Sequence, residues 1–163
     1  MFELTKNSVP FFNLFSFKRF DSMNTDDGVA YSCQLFFKNQ KIADVENRGD
    51  GGSTNVHYAP GGEALLNSIA DEIKSFYDMT DITWEIDNEY IISDLVEVKL
   101  QMKDALRSQS KAILFITNDN KIMQVTYKAP FSKFKAAGKF DIIQNKVKEL
   151  EKEGNFILNT NLG

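Results

Sequence analysis

Apolar residues crowd both faces of the first strongly patterned segment. Residues 9–20 (VPFFNLFSFKRF) hold five Phe and a Leu with no one-sided alternation. That pattern predicts a strand covered on both sides. Pro10 lies near its start, where a missing N–H is tolerated. The polar run 21–28 (DSMNTDDG) predicts a loop. Residues 30–38 then alternate, with Tyr31, Cys33, Leu35 and Phe37 toward one side. Asn39-Gln40 predicts the turn of a hairpin, since Asn tolerates positive φ. Residues 41–47 return as its partner strand.

The period then changes from two to near four. Leu65, Leu66, Ile69, Ile73, Phe76 and Tyr77 keep helical spacing over residues 63–77, with Glu63 in the first turn to suit the helix dipole. Asp87 is placed to cap a second helix striped by Ile91, Leu95, Val98, Met102 and Leu106. A second hairpin is expected over 112–117 and 121–127, around Asn118-Asp119-Asn120. A third helix is expected over 140–153, with Ile143, Val147 and Leu150 inward and Gly154 as its stop. Residues 156–158 predict a last short strand. The expected order is β-β-β-α-α-β-β-α-β. Hairpins and helices in blocks favour an α+β fold, mainly antiparallel, with about three helices in a single domain spanning 1–163.

Candidate chemistry concentrates in residues 46–62 (ENRGDGGSTNVHYAPGG). That stretch holds five of the nine glycines, the one histidine and one of three prolines. Glycine-rich turns can present consecutive N–H groups to an anion, and a helix N-terminus near Gly61-Gly62 would add positive dipole. Arg48, Gly49, Asp50, Gly51, Gly52, Ser53, Thr54, Asn55 and His57 are the candidate ligand-binding residues. Arg48 could pair with a phosphate and Ser53, Thr54 and Asn55 offer further donors. The spacing is neither that of the P-loop nor the dinucleotide fingerprint. A metal or catalytic reading would join His57 to Asp44, Glu46 and Asp50. No catalytic set, metal site or cofactor is assigned. Arg48-Gly49-Asp50 also spells the integrin tripeptide, read as coincidence.

A second candidate surface is basic. Residues 120–140 contain no acid, and Lys128, Lys133, Lys135 and Lys139 interleave with Tyr127, Phe131, Phe134 and Phe140. Lysines can neutralise phosphates while aromatic faces stack on bases, the pattern of a single-stranded nucleic-acid binder. The bland alternative is a strand and loop whose aromatics enter the core while lysines stay wet. Phe11, Phe12, Phe15 and Phe17 raise a third possibility: rings that one subunit cannot bury would mark a homo-oligomer or partner surface.

Composition narrows the setting. The chain of 163 residues is long enough for one sizeable core. Cys33 is the only cysteine, which rules out an intramolecular disulfide and a cysteine-built zinc site and fits a reducing cytosol. MFELTKNS lacks the order of a secretion signal, and no apolar run is long enough to cross a bilayer, so a cytoplasmic protein is expected. The net charge of −4 is uneven, with seven Lys/Arg against fourteen Asp/Glu in residues 1–88 and twelve against nine in residues 89–163. The acidic half could steer a basic partner.

Three short motifs carry a resemblance. Asn47, Gly49, Gly51 and Gly52 form an Asn-x-Gly-x-Gly-Gly pattern after a hairpin strand; Asp94-Leu95-Val96 lies in a helix; Ile157-Leu158-Asn159 closes the chain. Over roughly residues 28–159 the chain resembles a group of short hypothetical proteins of phages and bacterial genomes. Sixteen Lys against three Arg, with fourteen Asn, agree with an AT-rich genome. The resemblance implies a phage or mobile-element setting and transfers no catalytic residue. The reading drawn from all this is a non-enzymatic binding protein, an accessory factor acting on a host or defence protein in the host cytoplasm. The alternatives are a nucleotide or phosphate binder (a sponge or hydrolase) built on residues 46–62, and the nucleic-acid binder described above.

Overall fold

The computed structural model describes residues 2–80 and 82–162. The fold is α+β, and every strand pairing is antiparallel. The chain divides into two compact units, residues 2–3 with 8–97 and residues 4–7 with 98–162.

The first unit is built on a four-stranded sheet of order β1-β2-β3-β4: Phe15–Thr25, Gly28–Phe37, Gln40–Asn47 and Asn55–Tyr58. The expected strand over 9–20 is replaced by a short helix, α1 (Ser8–Phe12), followed by β1. Apolar residues appear on every side there because the helix is plugged into an aromatic cluster. Phe11 and Phe12 are buried and Phe11 lies 5.7 Å from Phe15, 5.9 Å from Phe37 and 5.3 Å from Phe76. Such tilted and edge-on contacts add to the area buried. Phe17 is half-buried, 5.9 Å from Phe12 and 6.2 Å from Phe20. The expected loop over 21–28 is mostly strand: β1 pairs with β2 out to Thr25↔Gly28, leaving Asp26-Asp27 as the turn. A bulge at Arg19-Phe20, with Arg19 at φ 48°, interrupts that pairing.

The β2–β3 turn sits one residue earlier than expected. Lys38 and Asn39 occupy it at φ 46° and 68°, and Gln40 already pairs with Phe37. Two positive φ values in sequence match the right-handed strand twist that tight hairpins need. Tyr31, Cys33, Leu35 and Phe37 do share one face, and the last three are buried. β4 lies inside the glycine-rich stretch, where a loop was expected, because residues 55–58 supply the ladder partner of residues 43–46.

Helix α2 (Gly62–Lys74) follows, and α3 (Asn88–Ala105) is capped by Asp87, whose Oδ1 accepts the Tyr90 N–H at 2.8 Å. α2 stops short of the expected end; Tyr77 instead makes an isolated bridge with Phe2. The buried Asp94 carboxylate accepts the Phe2 N–H at 2.6 Å. Gly62 explains how closely helix and sheet pack. A Cβ on it would lie 1.9 Å from the Ile42 carbonyl oxygen, so only hydrogen fits.

The second unit holds a three-stranded sheet of order β6-β5-β7: Ile122–Thr126, Ala112–Ile116 and Phe156–Ile157. Two helices accompany it, α4 (Phe131–Ala136) and α5 (Asp141–Lys152). α4 was not expected; together with α1 it raises the helix count from about three to five among the described residues. Ile113, Phe115, Phe131, Ile143 and Leu150 form the core of this unit. Gly154, at φ 85°, ends α5 as expected. Beyond β7, Asn159 takes over the role of a strand. Its Oδ1 accepts the Leu114 N–H at 2.6 Å and its Nδ2 donates to the Ala112 carbonyl at 2.8 Å.

Gly62→Ala is expected to cost at least ~2 kcal/mol, because backbone must shift to admit the methyl group. Gly51→Ala, at φ 77° but with open space around it, should cost about 1 kcal/mol. Urea unfolding of both variants reads the difference. Burial also pushes the Cys33 thiol up to about 11. The native thiol should resist alkylation at pH 8.5 and react once the chain is unfolded in denaturant. Because the unfolded thiol ionises first, folding stability should fall as pH rises from about 8.5 toward the folded value.

Candidate functional site

Side-chain hydrogen bonds fix the conformation of the β3–β4 connection. Asn47 ends β3, and its Oδ1 accepts the Gly49 N–H at 2.8 Å. Its Nδ2 donates to the Thr54 hydroxyl at 3.1 Å and to the Gly52 carbonyl at 3.4 Å. Asp50 turns back on its own loop, its Oδ1 accepting the Gly52 N–H at 3.0 Å. Two N–H groups that could have held an anion are therefore already bonded to an amide oxygen and a carboxylate.

Thr54 is the hub of the connection. It is buried, and its hydroxyl oxygen accepts the Ser93 hydroxyl at 2.8 Å and pairs with the Tyr31 hydroxyl at 2.9 Å. Burial raises the Tyr31 phenol above its ordinary range, against the lowering effect of its hydrogen bonds with Thr54 and Ser93. Such networks gain from mutual polarisation when every member is satisfied. Gly49 is buried as well: a Cβ there would lie 2.5 Å from the Ala30 nitrogen, and its carbonyl accepts the Thr25 hydroxyl.

The glycines of the stretch thus divide by cause. Gly49, itself at φ 70°, and Gly62 admit close backbone approach. Gly51 and Gly61 supply positive φ, 77° and 74°, in open space. Gly51-Gly52 precedes β4 and Gly61-Gly62 follows it, so the two pairs stand at opposite ends of a strand about 10 Å long. The helix N-terminus does not reinforce the turn.

Of the candidate ligand-binding side chains, Arg48, Asp50, Ser53, Asn55 and His57 lie at the surface. His57 sits opposite Asp44, and Asn55 opposite Glu46. Lys41 is 2.7 Å from the Asp44 carboxylate, and this hydrogen bond, aided by one from Gln34 at 3.1 Å, holds that carboxyl below the usual range. Asp44 is thus already engaged, and Asp50 is committed to the turn. Among the described residues no group of three His, Cys, Asp or Glu could hold a metal ion.

The register aligns two rows across the open face of the sheet. One holds Lys18, Gln34, Asp44 and His57, the next Asp21, Ser32, Glu46 and Asn55. At the end of β2 nearest the glycine turn, Asp21, Met23, Ser32, Glu46 and Arg48 border a shallow depression of about 330 Å³. Asp21, Met23 and Ser32 escaped the sequence reading, since cross-strand pairing alone brings them beside Arg48. The first unit carries seventeen Asp/Glu against six Lys/Arg.

In the second unit the balance reverses, with thirteen Lys/Arg against six Asp/Glu. Lys128, Lys133, Lys135 and Lys139 are all exposed, the middle two on α4. The aromatics between them face inward. Tyr127 packs edge-on against Phe131 at 5.8 Å and Phe134 at 5.6 Å, while Lys135 lies 4.5 Å over the Phe140 ring. These rings serve the core of their own unit.

Comparison with known proteins returns no matching family model, curated protein or solved structure. Among the described residues no helix is long and apolar enough to cross a membrane.

Thr54→Val is expected to cost about 1–3 kcal/mol, since three polar partners lose their common oxygen. Arg48→Ala should change stability by no more than about 0.5 kcal/mol. Chemical denaturation of the two variants separates the scaffolding position from the surface one.

Proposed function

We propose that the chain is a non-enzymatic binding protein, a phage or mobile-element accessory factor that engages a host or defence protein in the host cytoplasm. The first unit is the surface it presents, and the partner surface is basic. One observation carries this reading. The glycine turn satisfies its own donors through Asn47, Asp50 and Thr54 while Arg48, Ser53 and Asn55 stay exposed. An ordered turn with its polar side chains outward suits a macromolecular contact better than a phosphate cradle. The neighbouring depression is open and shallow, unlike the concave pockets that enclose small ligands. The acidic excess of this unit supports steering of a positively charged partner.

Capture from host lysate on the tagged chain tests the reading. A stoichiometric basic partner should be retained in low salt and released as salt rises. Replacing Asp21 and Glu46 together by Lys should weaken retention at least ~10-fold, the scale of losing two complementary charges. Equal retention by that variant, or no partner at any salt, would overturn the proposal. A panel of nucleotides in the same buffers should leave the melting temperature unchanged; a concentration-dependent rise would instead favour the ligand-binding alternative.

A further inference from the structure

We propose that β6 is a strand-pairing site, and that its occupant is β6 of a second copy of this chain, joined antiparallel into a continuous six-stranded sheet. Among the described residues β6 is an outer strand, paired on one side, with β5. The Tyr127 N–H donates to the Lys111 carbonyl at 2.8 Å and the Thr117 N–H to the Lys121 carbonyl at 3.0 Å. With Ile113 opposite Val125 and Phe115 opposite Met123, the odd-numbered residues of this stretch turn their main-chain groups toward β5. The N–H and C=O of Ile122, Gln124 and Thr126 therefore point away from the sheet.

Other sheet edges carry protection. β1 is broken by the Arg19-Phe20 bulge, β7 is two residues long, and β4 is four residues long with Asn55 and His57 exposed. Bulges, short length and charged side chains are the usual means of blocking edge pairing. β6 (IMQVT) has no charge, proline, glycine or bulge. Ile122 and Met123 are 40% and 50% exposed, on opposite faces of the strand. Beside them lies a depression of about 500 Å³ bordered by Ala105, Arg107, Ser108 and Leu114.

The strand is complementary to itself. Placing Gln124 opposite Gln124 of the second copy puts Ile122 opposite Thr126 and Met123 opposite Val125. All three outward-facing residues of each copy then pair, and the exposed Met gains an apolar cross-strand neighbour. Charges do not oppose this register. Lys121 falls opposite Tyr127 of the second copy and brings its own counter-ion, Asp119 at 2.9 Å, so Lys128 of that copy meets a neutralised pair. A five-residue strand is only about 17 Å long, so the interface is small and the dimer reversible.

Sedimentation velocity on the full chain, from about 1 to about 300 µM, should show the mass rising from 18.6 kDa toward twice that value. Hydrogen exchange should show the Ile122, Gln124 and Thr126 amides gaining protection with concentration, while those of Met123 and Val125 are protected throughout. Met123→Lys and Thr126→Pro should each weaken dimerisation at least ~10-fold, since charge and proline block edge pairing. Both leave the bonds to β5 in place. Trp84→Lys, at an exposed apolar position in the first unit, should leave dimerisation unchanged. A monomer at every concentration, a dimer indifferent to both β6 variants, or unchanged exchange at the three even-numbered amides would overturn the proposal.

Discussion

Wherever the chain leaves its ladders, buried main-chain groups still require partners, and polar side chains supply them, Asn47, Asp94 and Asn159 above all. Asn47 holds the exit from β3, Asp94 receives the Phe2 amide, and Asn159 extends β5 beyond the end of β7. An unmet buried amide costs more than a made hydrogen bond returns. These positions are therefore more constrained than their polar chemistry suggests. All three lie in the short motifs 47–52, 94–96 and 157–159. Each of these polar residues has a scaffolding task, which accounts for its chemistry without invoking a ligand.

This constraint also orders the glycine-rich stretch. Its concentration of glycine looks like a single feature in the sequence, yet it answers several separate demands. Gly49 passes against Ala30 and Gly62 against Ile42, while Gly51 and Gly61 turn the chain in open space. What remains exposed is the set of side chains between these fixed points, joined by Asp21, Met23 and Ser32 from neighbouring strands.

Legibility of the sequence followed the reach of each interaction. The helices over α2, α3 and α5 could be read because their apolar spacing and Asp87 cap are local. The alternation of Tyr31, Cys33, Leu35 and Phe37 was equally readable, and so were the β5–β6 hairpin and the Gly154 stop. The segment at 9–20 misled because a helix buried on all sides and a strand covered on both sides show the same unbroken apolar pattern. β4 was hidden by its length and by the glycines that flank it. Thr54 could be recognised as a donor but not as a buried hub, since Tyr31 and Ser93 are 23 and 39 residues away. The lysines of residues 128–139 were read correctly as exposed, and the rings between them belong to the core because α4, unseen in the sequence, turns them inward.

The clamped glycine turn separates what holds the protein together from what it displays. Asn47, Asp50 and Thr54 fix the turn, whereas the side chains of Arg48 and Ser53 contribute little to the fold. Mutation can therefore explore these two positions at small cost to folding. Such a loop can diversify while the scaffold beneath it is left as it is.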